Sequence, residues 1–141
     1  MQEKTNRATP QRPEGDRLLD ASLVTMDLLS FMEQIKKEES WKDSDRNAIT
    51  IYKTAGMTIT VIALKAGATM KTHTTEGIFS VQVLEGRIQF DTEQQSAVLA
   101  KGHMLALHEG IPHSVLAQEE AVFLLTLAAG KTEEKEENIK F

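Results

Sequence analysis

The chain has 141 residues, 26% of them charged, a net charge of −5 and no cysteine. That length suits one domain able to bury about two-thirds of its unfolded surface. The acidic balance argues against a nucleic-acid surface, which would show clustered Lys and Arg. The absence of cysteine excludes disulfides, thiolate metal sites and cysteine nucleophiles, and agrees with a reducing cytoplasm.

No apolar run approaches the roughly 18 residues needed to span a bilayer. The opening stretch, MQEKTNRATPQRPEGDR, lacks the apolar core of a secretory signal. A cytoplasmic protein is expected, with neither membrane nor nucleic acid as partner. Residues 1–17 are polar, contain Pro10, Pro13 and Gly15, and show no periodicity, which predicts a flexible arm. Residues 18–45 read as a helical extension. Within it Leu28, Leu29, Phe31, Met32 and Ile35 fall on one stripe and predict an amphipathic helix over 27–39. Asp27 or Ser30 can cap it, Ser30 and Glu33 having capping-box spacing, and its expected role is to pack on the wall of the following domain. Asp43, Asp45 and Arg46 read as a turn into the first strand.

Over 46–128 the pattern changes to short β-type runs punctuated by glycine. Strands are predicted over 48–53, 57–64, 78–84, 87–91, 97–100, 104–107, 113–117 and 122–127. Gly56, Gly67, Gly86, Gly102 and Gly110 lie at or near the joints. Close, regular spacing without crossover helices predicts an all-β antiparallel barrel or sandwich. Residues 129–141, mostly Lys and Glu, read as a charged, solvated tail.

The histidines are His73, His103, His108 and His113. A lone histidine on a strand is more often structural than a ligand, so spacing decides. Gly67, His73 and the ending Val83-Leu84-Glu85-Gly86 stand in one register, and Gly102 and Gly110-Ile111-Pro112-His113 stand in a second. Together these segments resemble the two motifs of the cupin superfamily, and flanking strands extend the resemblance over 46–127. The resemblance implies a jelly-roll-like β-barrel with His73 and His113 facing one pocket, and a homodimer paired through its sheets.

In metal-binding cupins the ligands are two histidines and a glutamate from the first motif and a histidine from the second. Here the second histidine position is Thr75 and the glutamate position is Phe79, while the second motif's proline and asparagine are His108 and Ala117. Only His73 and His113 carry over. Strand parity places positions 73, 75, 79, 81 and 83 on one face, which reads His, Thr, Phe, Val, Val. The expected pocket lining is His73, Thr75, Phe79, Val81, His108 and His113.

A divalent transition metal usually needs three protein ligands. Threonine is a weak ligand and phenylalanine none, so a metal-free pocket is expected. The alternative is one Zn, Fe or Mn ion on His73 and His113, with Glu76 or His108 swinging in as the third ligand. His103 reads as a surface residue and Glu109 as solvated.

No nucleophile elbow and no P-loop or dinucleotide fingerprint occurs, and Ser80 points away from His73 by parity. The leading functional reading is a small-molecule-binding or sensing barrel, its ligand unidentified. The alternatives are a metal-dependent cupin enzyme of oxygenase or isomerase type using His73 and His113, and a structural dimerising barrel. For the last, outward-facing Ile78 and Leu84 need covering by the helix or by a second subunit.

Overall fold

Strands in which apolar side chains alternate with polar ones must bury one face, and here they bury it against each other in two antiparallel sheets. The computed structural model describes residues 4–6 and 17–128. In chain order these form β1 (Lys4–Asn6), β2 (Arg17–Asp20), α1 (Leu28–Ile35), α2 (Glu39–Asp43), β3 (Arg46–Lys53), β4 (Met57–Leu64) and β5 (Thr69–His73). There follow β6 (Phe79–Glu85), β7 (Arg87–Thr92), β8 (Ser96–Ala100), β9 (Met104–Leu107), β10 (His113–Ala117) and β11 (Ala121–Ala128). One sheet has the order β5-β10-β7-β8 and the other β3-β4-β11-β6-β9, while β1 and β2 pair separately. Every ladder is antiparallel. This is the expected all-β jelly-roll architecture, with one difference: no ladder joins the two larger sheets among the described residues, so the barrel is not closed.

Two apolar layers hold the fold. Between the sheets, Ile62, Leu64, Phe79, Val81, Val83, Ile88, Phe90, Phe123 and Leu127 form the larger core. Outside the five-stranded sheet, Ile35 and Trp41 cover Ile49, Ile51, Val61, Ala63 and Val122. β4 serves both layers, turning Ile62 and Leu64 inward and Val61 and Ala63 outward. Its near-continuous apolar run is the signature of a strand buried on both faces.

The helical extension differs in detail from its sequence reading. Asp27 is the N-cap: its Oδ1 accepts from the Ser30 N–H at 3.2 Å, and its Oδ2 from the Ser30 hydroxyl at 2.9 Å. The predicted single helix over 27–39 is a correction, because α1 stops at Ile35 and a separate turn of helix begins at Glu39. The cause lies on the sheet. Asn47 Nδ2 donates to the Ile35 carbonyl and to Glu38 Oε1, both at 2.9 Å, and so draws the chain out of the helix. Lys36 Nζ ties the same corner to the barrel by ion pairs with Glu85 and, at 2.7 Å, with Glu120. Leu84 packs against this helical layer, whereas Ile78 stays 48% exposed.

Two further differences concern strands. β5 was not anticipated, since Thr-Met-Lys-Thr-His offers a single apolar residue, and it forms by pairing with β10. Lys4–Asn6, inside the segment read as a flexible arm, pairs with Arg17–Asp20. The remainder of that arm and the charged tail at 129–141 lie outside the described residues. At the β6–β7 joint Gly86 adopts φ +79°, and a Cβ there would stand 2.0 Å from the Glu120 carbonyl oxygen. Only glycine fits that turn. No helix among the described residues is long and apolar enough to cross a membrane.

Candidate functional site

The site is built where β5 meets β10. His73 and His113 are direct cross-strand partners, and the next pairing is Val115 with Met70. From His113 to Val115 is two steps on β10, but from His73 to Met70 is three on β5. That irregularity is a bulge, and its effect is to turn two residues of odd spacing, Met70 and His73, to the same interior. In a regular strand they would face opposite sides.

Each imidazole is anchored through its own backbone. His73 Nδ1 lies 2.8 Å from the Lys71 carbonyl oxygen, and His113 Nδ1 lies 2.8 Å from the Ile111 carbonyl oxygen. A carbonyl can only accept, so in both rings Nδ1 carries the proton and, in the neutral ring, Nε2 keeps a lone pair. The ring centroids are 4.4 Å apart at 59°. Phe90 stacks on His113 at 5.3 Å and 10°, and Phe79 meets it at 5.0 Å and 49°. His113 is 4% exposed. Burial pushes its pKa down, the Ile111 carbonyl opposes this, and neighbouring His73 adds a smaller push in the same direction as burial. His113 is therefore neutral at pH 7.

The two histidines line a cavity of about 30 Å³, walled otherwise by Thr75 and by apolar side chains including Met70, Phe79, Val81, Phe90, Phe123 and Leu125. That is room for about two waters, far below the roughly 300–1,000 Å³ of a drug-sized pocket. Buried Thr75 holds the rim: its hydroxyl donates to the Gly77 carbonyl at 3.5 Å and its own carbonyl accepts the Gly110 N–H at 2.9 Å. Gly77 is needed there because a Cβ would stand 2.1 Å from the Ala128 carbonyl oxygen.

Of the expected lining, His73, Thr75, Phe79, Val81 and His113 are brought together around this cavity. His108 is not. It is exposed and absent from the cavity wall, because β9 ends at Leu107 and the Gly110–Thr75 bond carries the following turn across the mouth with His108 outside. Glu76 is likewise exposed and off the wall. His103 is exposed, and its Nδ1 accepts the Ala100 N–H at 3.0 Å in the β8–β9 turn. The sequence reading missed the rest of the wall: Ile62, Met70, Phe90, Val115, Phe123, Leu125 and Leu127. Phe90 could have been found by the inward parity of β7, whereas Met70 depends on a bulge that no residue pattern announces.

No group of three His, Cys, Asp or Glu able to hold a metal ion occurs among the described residues. The cavity offers two imidazoles and a threonine hydroxyl, with no carboxylate to offset a double charge. The donor set does not fit a divalent Zn, Fe or Mn ion, which needs three good ligands.

No family model matches the chain, and no curated protein matches it. Solved structures do. An RmlC-like cupin from Desulfovibrio desulfuricans is 25% identical, the match covering 61% of this chain and 84% of that one at a TM-score of 0.56. A conserved protein of unknown function from Streptococcus pyogenes is also 25% identical, over 62% of this chain and 76% of that one, at a TM-score of 0.58. Salicylate 1,2-dioxygenase from Pseudoaminobacter salicylatoxidans is 17% identical with a TM-score of 0.66, over 87% of this chain but 35% of that enzyme. The last likeness concerns architecture alone, since this chain spans about a third of the dioxygenase. The likeness to these structures, a cupin among them, shows that this chain has the cupin fold.

Proposed function

We propose that the chain is a binding or sensing barrel whose site is the His73–His113 pair. The observation that carries this reading is the anchoring of both Nδ1 atoms on backbone carbonyls, which leaves both Nε2 atoms free of that contact at a pocket otherwise lined mostly by apolar side chains. The enclosure of about 30 Å³ limits the ligand, or the part of it that enters, to something compact. The neutral state of His113 favours a hydrogen-bond donor or an electron-pair acceptor over an anion. A thermal-shift screen of compact alcohols, amides and metal ions tests the reading. A stabiliser that loses its effect in His113→Ala is expected, and no stabiliser in the wild type would sink the proposal.

A second reading, the dimerising module, is favoured by a different observation. β8 and β9 are both edge strands, contain no charged residue or proline, and expose Val98 (52%) and Met104 (59%). Protected edges normally carry such residues. Light scattering should then give twice the monomer mass, falling to the monomer in Val98→Lys.

A further inference from the structure

We infer that the rim beside the histidine cavity carries a second binding site, a cleft that takes a small aliphatic diamine in its protonated form. This site stands apart from the His73–His113 pair and does not depend on what enters that cavity.

The cleft lies between two connections. The turn from β7 to β8 forms one wall and the loop from β9 to β10 the other, and together they enclose about 390 Å³. That falls within the roughly 300–1,000 Å³ of small-molecule sites. A smaller hollow of about 170 Å³ adjoins it, and the two share Thr92, Glu93 and Pro112.

Both walls are pinned in place. The Thr92 N–H donates to the Gln95 carbonyl at 2.8 Å, and the Thr92 hydroxyl donates to the same carbonyl at 3.2 Å. That hydroxyl also accepts the N–H groups of Gln94 at 3.3 Å and Gln95 at 3.2 Å. The closed turn leaves Glu93, Gln94 and Gln95 exposed. Across from it, the Thr75 carbonyl accepts the Gly110 N–H at 2.9 Å, and the Ile111 carbonyl accepts from His113 Nδ1 at 2.8 Å. A cleft with walls fixed in advance spares a ligand part of the ordering cost of binding.

The lining sets the ligand class. Leu107, Ile111 and Pro112 give the loop wall a half-buried apolar surface that suits a methylene stem. Glu93 borders both hollows, and Asp91 lines the smaller one. Asp91 pairs in register with Ser114, and strand alternation turns both away from the core that Phe90 and Val115 enter. No Lys or Arg lines either hollow, and the net charge of −5 adds a field of the same sign. An anion is repelled here, and a neutral molecule gains nothing from the carboxylates. A molecule with an ammonium group at each end of an apolar stem is matched at both ends. The carboxamide oxygens of Gln94 and Gln95 supply further acceptors for its N–H groups.

The test is a nitrogen-15 NMR titration of the full chain with 1,5-diaminopentane. Saturable shifts are expected in the side-chain amides of Gln94 and Gln95 and in the Glu93 backbone N–H. The uncharged 1,5-pentanediol and the dianion glutarate should leave them unmoved. Glu93 is exposed, so Glu93→Gln should fold normally, yet weaken the diamine about threefold to fivefold, the upper range for a solvent-accessible charge pair. Asp91→Asn should act in the same direction. Glu33→Gln removes the same charge from an exposed position on α1, outside both hollows, and should leave affinity unchanged. Shifts that never saturate, equal shifts with the diol, or unchanged affinity in Glu93→Gln would each overturn the inference. An equal loss in Glu33→Gln would also overturn it, by showing attraction to the net charge alone.

Discussion

The two faces of the five-stranded sheet solve different problems. Outside, Ile35, Ile49, Val61, Ala63 and Val122 have no exposed surface, although a groove of about 460 Å³ opens beside them between Leu23, Met26, Phe31 and Ile51. Asn47, which enters that layer, is bonded to both the Ile35 carbonyl and Glu38. Inside, towards the β5 end, packing relaxes around two imidazoles and a small void, and the buried hydroxyls of Thr58 and Thr60 have no hydrogen-bond partner among the described residues. Around Ile35 the outer face is closed by apolar packing. The inner face keeps unpartnered hydroxyls and an imidazole pair that cohesion does not need, as expected of a site.

Mutations should divide along the same line. The largest effect is expected from Ile35→Ala, which empties a fully enclosed position in the outer layer and should cost about 2–5 kcal/mol. Urea unfolding measures it, and binding at the His pair should persist in whatever remains folded. Asn47→Ala removes three hydrogen bonds, two donated by its amide and one accepted from the Ala48 N–H, and leaves the Ile35 carbonyl unsatisfied, for an expected loss of about 1–3 kcal/mol by the same measurement. On the inner face the sign should reverse. Thr60→Val deletes an unpartnered hydroxyl at nearly constant shape and should be neutral or raise stability by up to about 1 kcal/mol, and a clear loss would show that the inner face is as tightly satisfied as the outer.

The smallest effect is a slope with pH. The folded-state pKa of His113 lies below its ordinary value of 6.5, chiefly through burial. The unfolded chain therefore binds the proton first, so this contribution to stability is complete above pH 6.5 and is lost as the pH falls towards the folded pKa. Unfolding curves at pH 8 and at successively lower values should show the decline, and His113→Leu should lack that component.

The division also governs what could be read in the sequence. β4, β9 and β10 run over the predicted residues 57–64, 104–107 and 113–117, because their apolar content and bounding turns are local signals. α1 was legible as a stripe but not in its length, since its end is dictated by Asn47, twelve residues beyond Ile35. The motif spacing puts His73 and His113 on one pocket, and the ladder makes them cross-strand partners. It could not place His108, whose position is set by the Gly110–Thr75 bond across the mouth, nor Met70, whose orientation follows from a register shift between two strands. Local chemistry writes strands into sequence, while the composition of a cavity is written in pairings between distant segments.

That distance has a kinetic side. His73 and His113 are joined across a ladder between β5 and β10, and the chain between them contains β6 to β9 in full. Closing so long a loop is entropically slow and repaid only when the intervening hairpins are in place. The approach of the two imidazoles is thus a late event in folding, and a histidine ring resonance shifted by its neighbours would mark the moment at which the chain has finished threading itself. A destabilised form would lose the site before it loses its sheets.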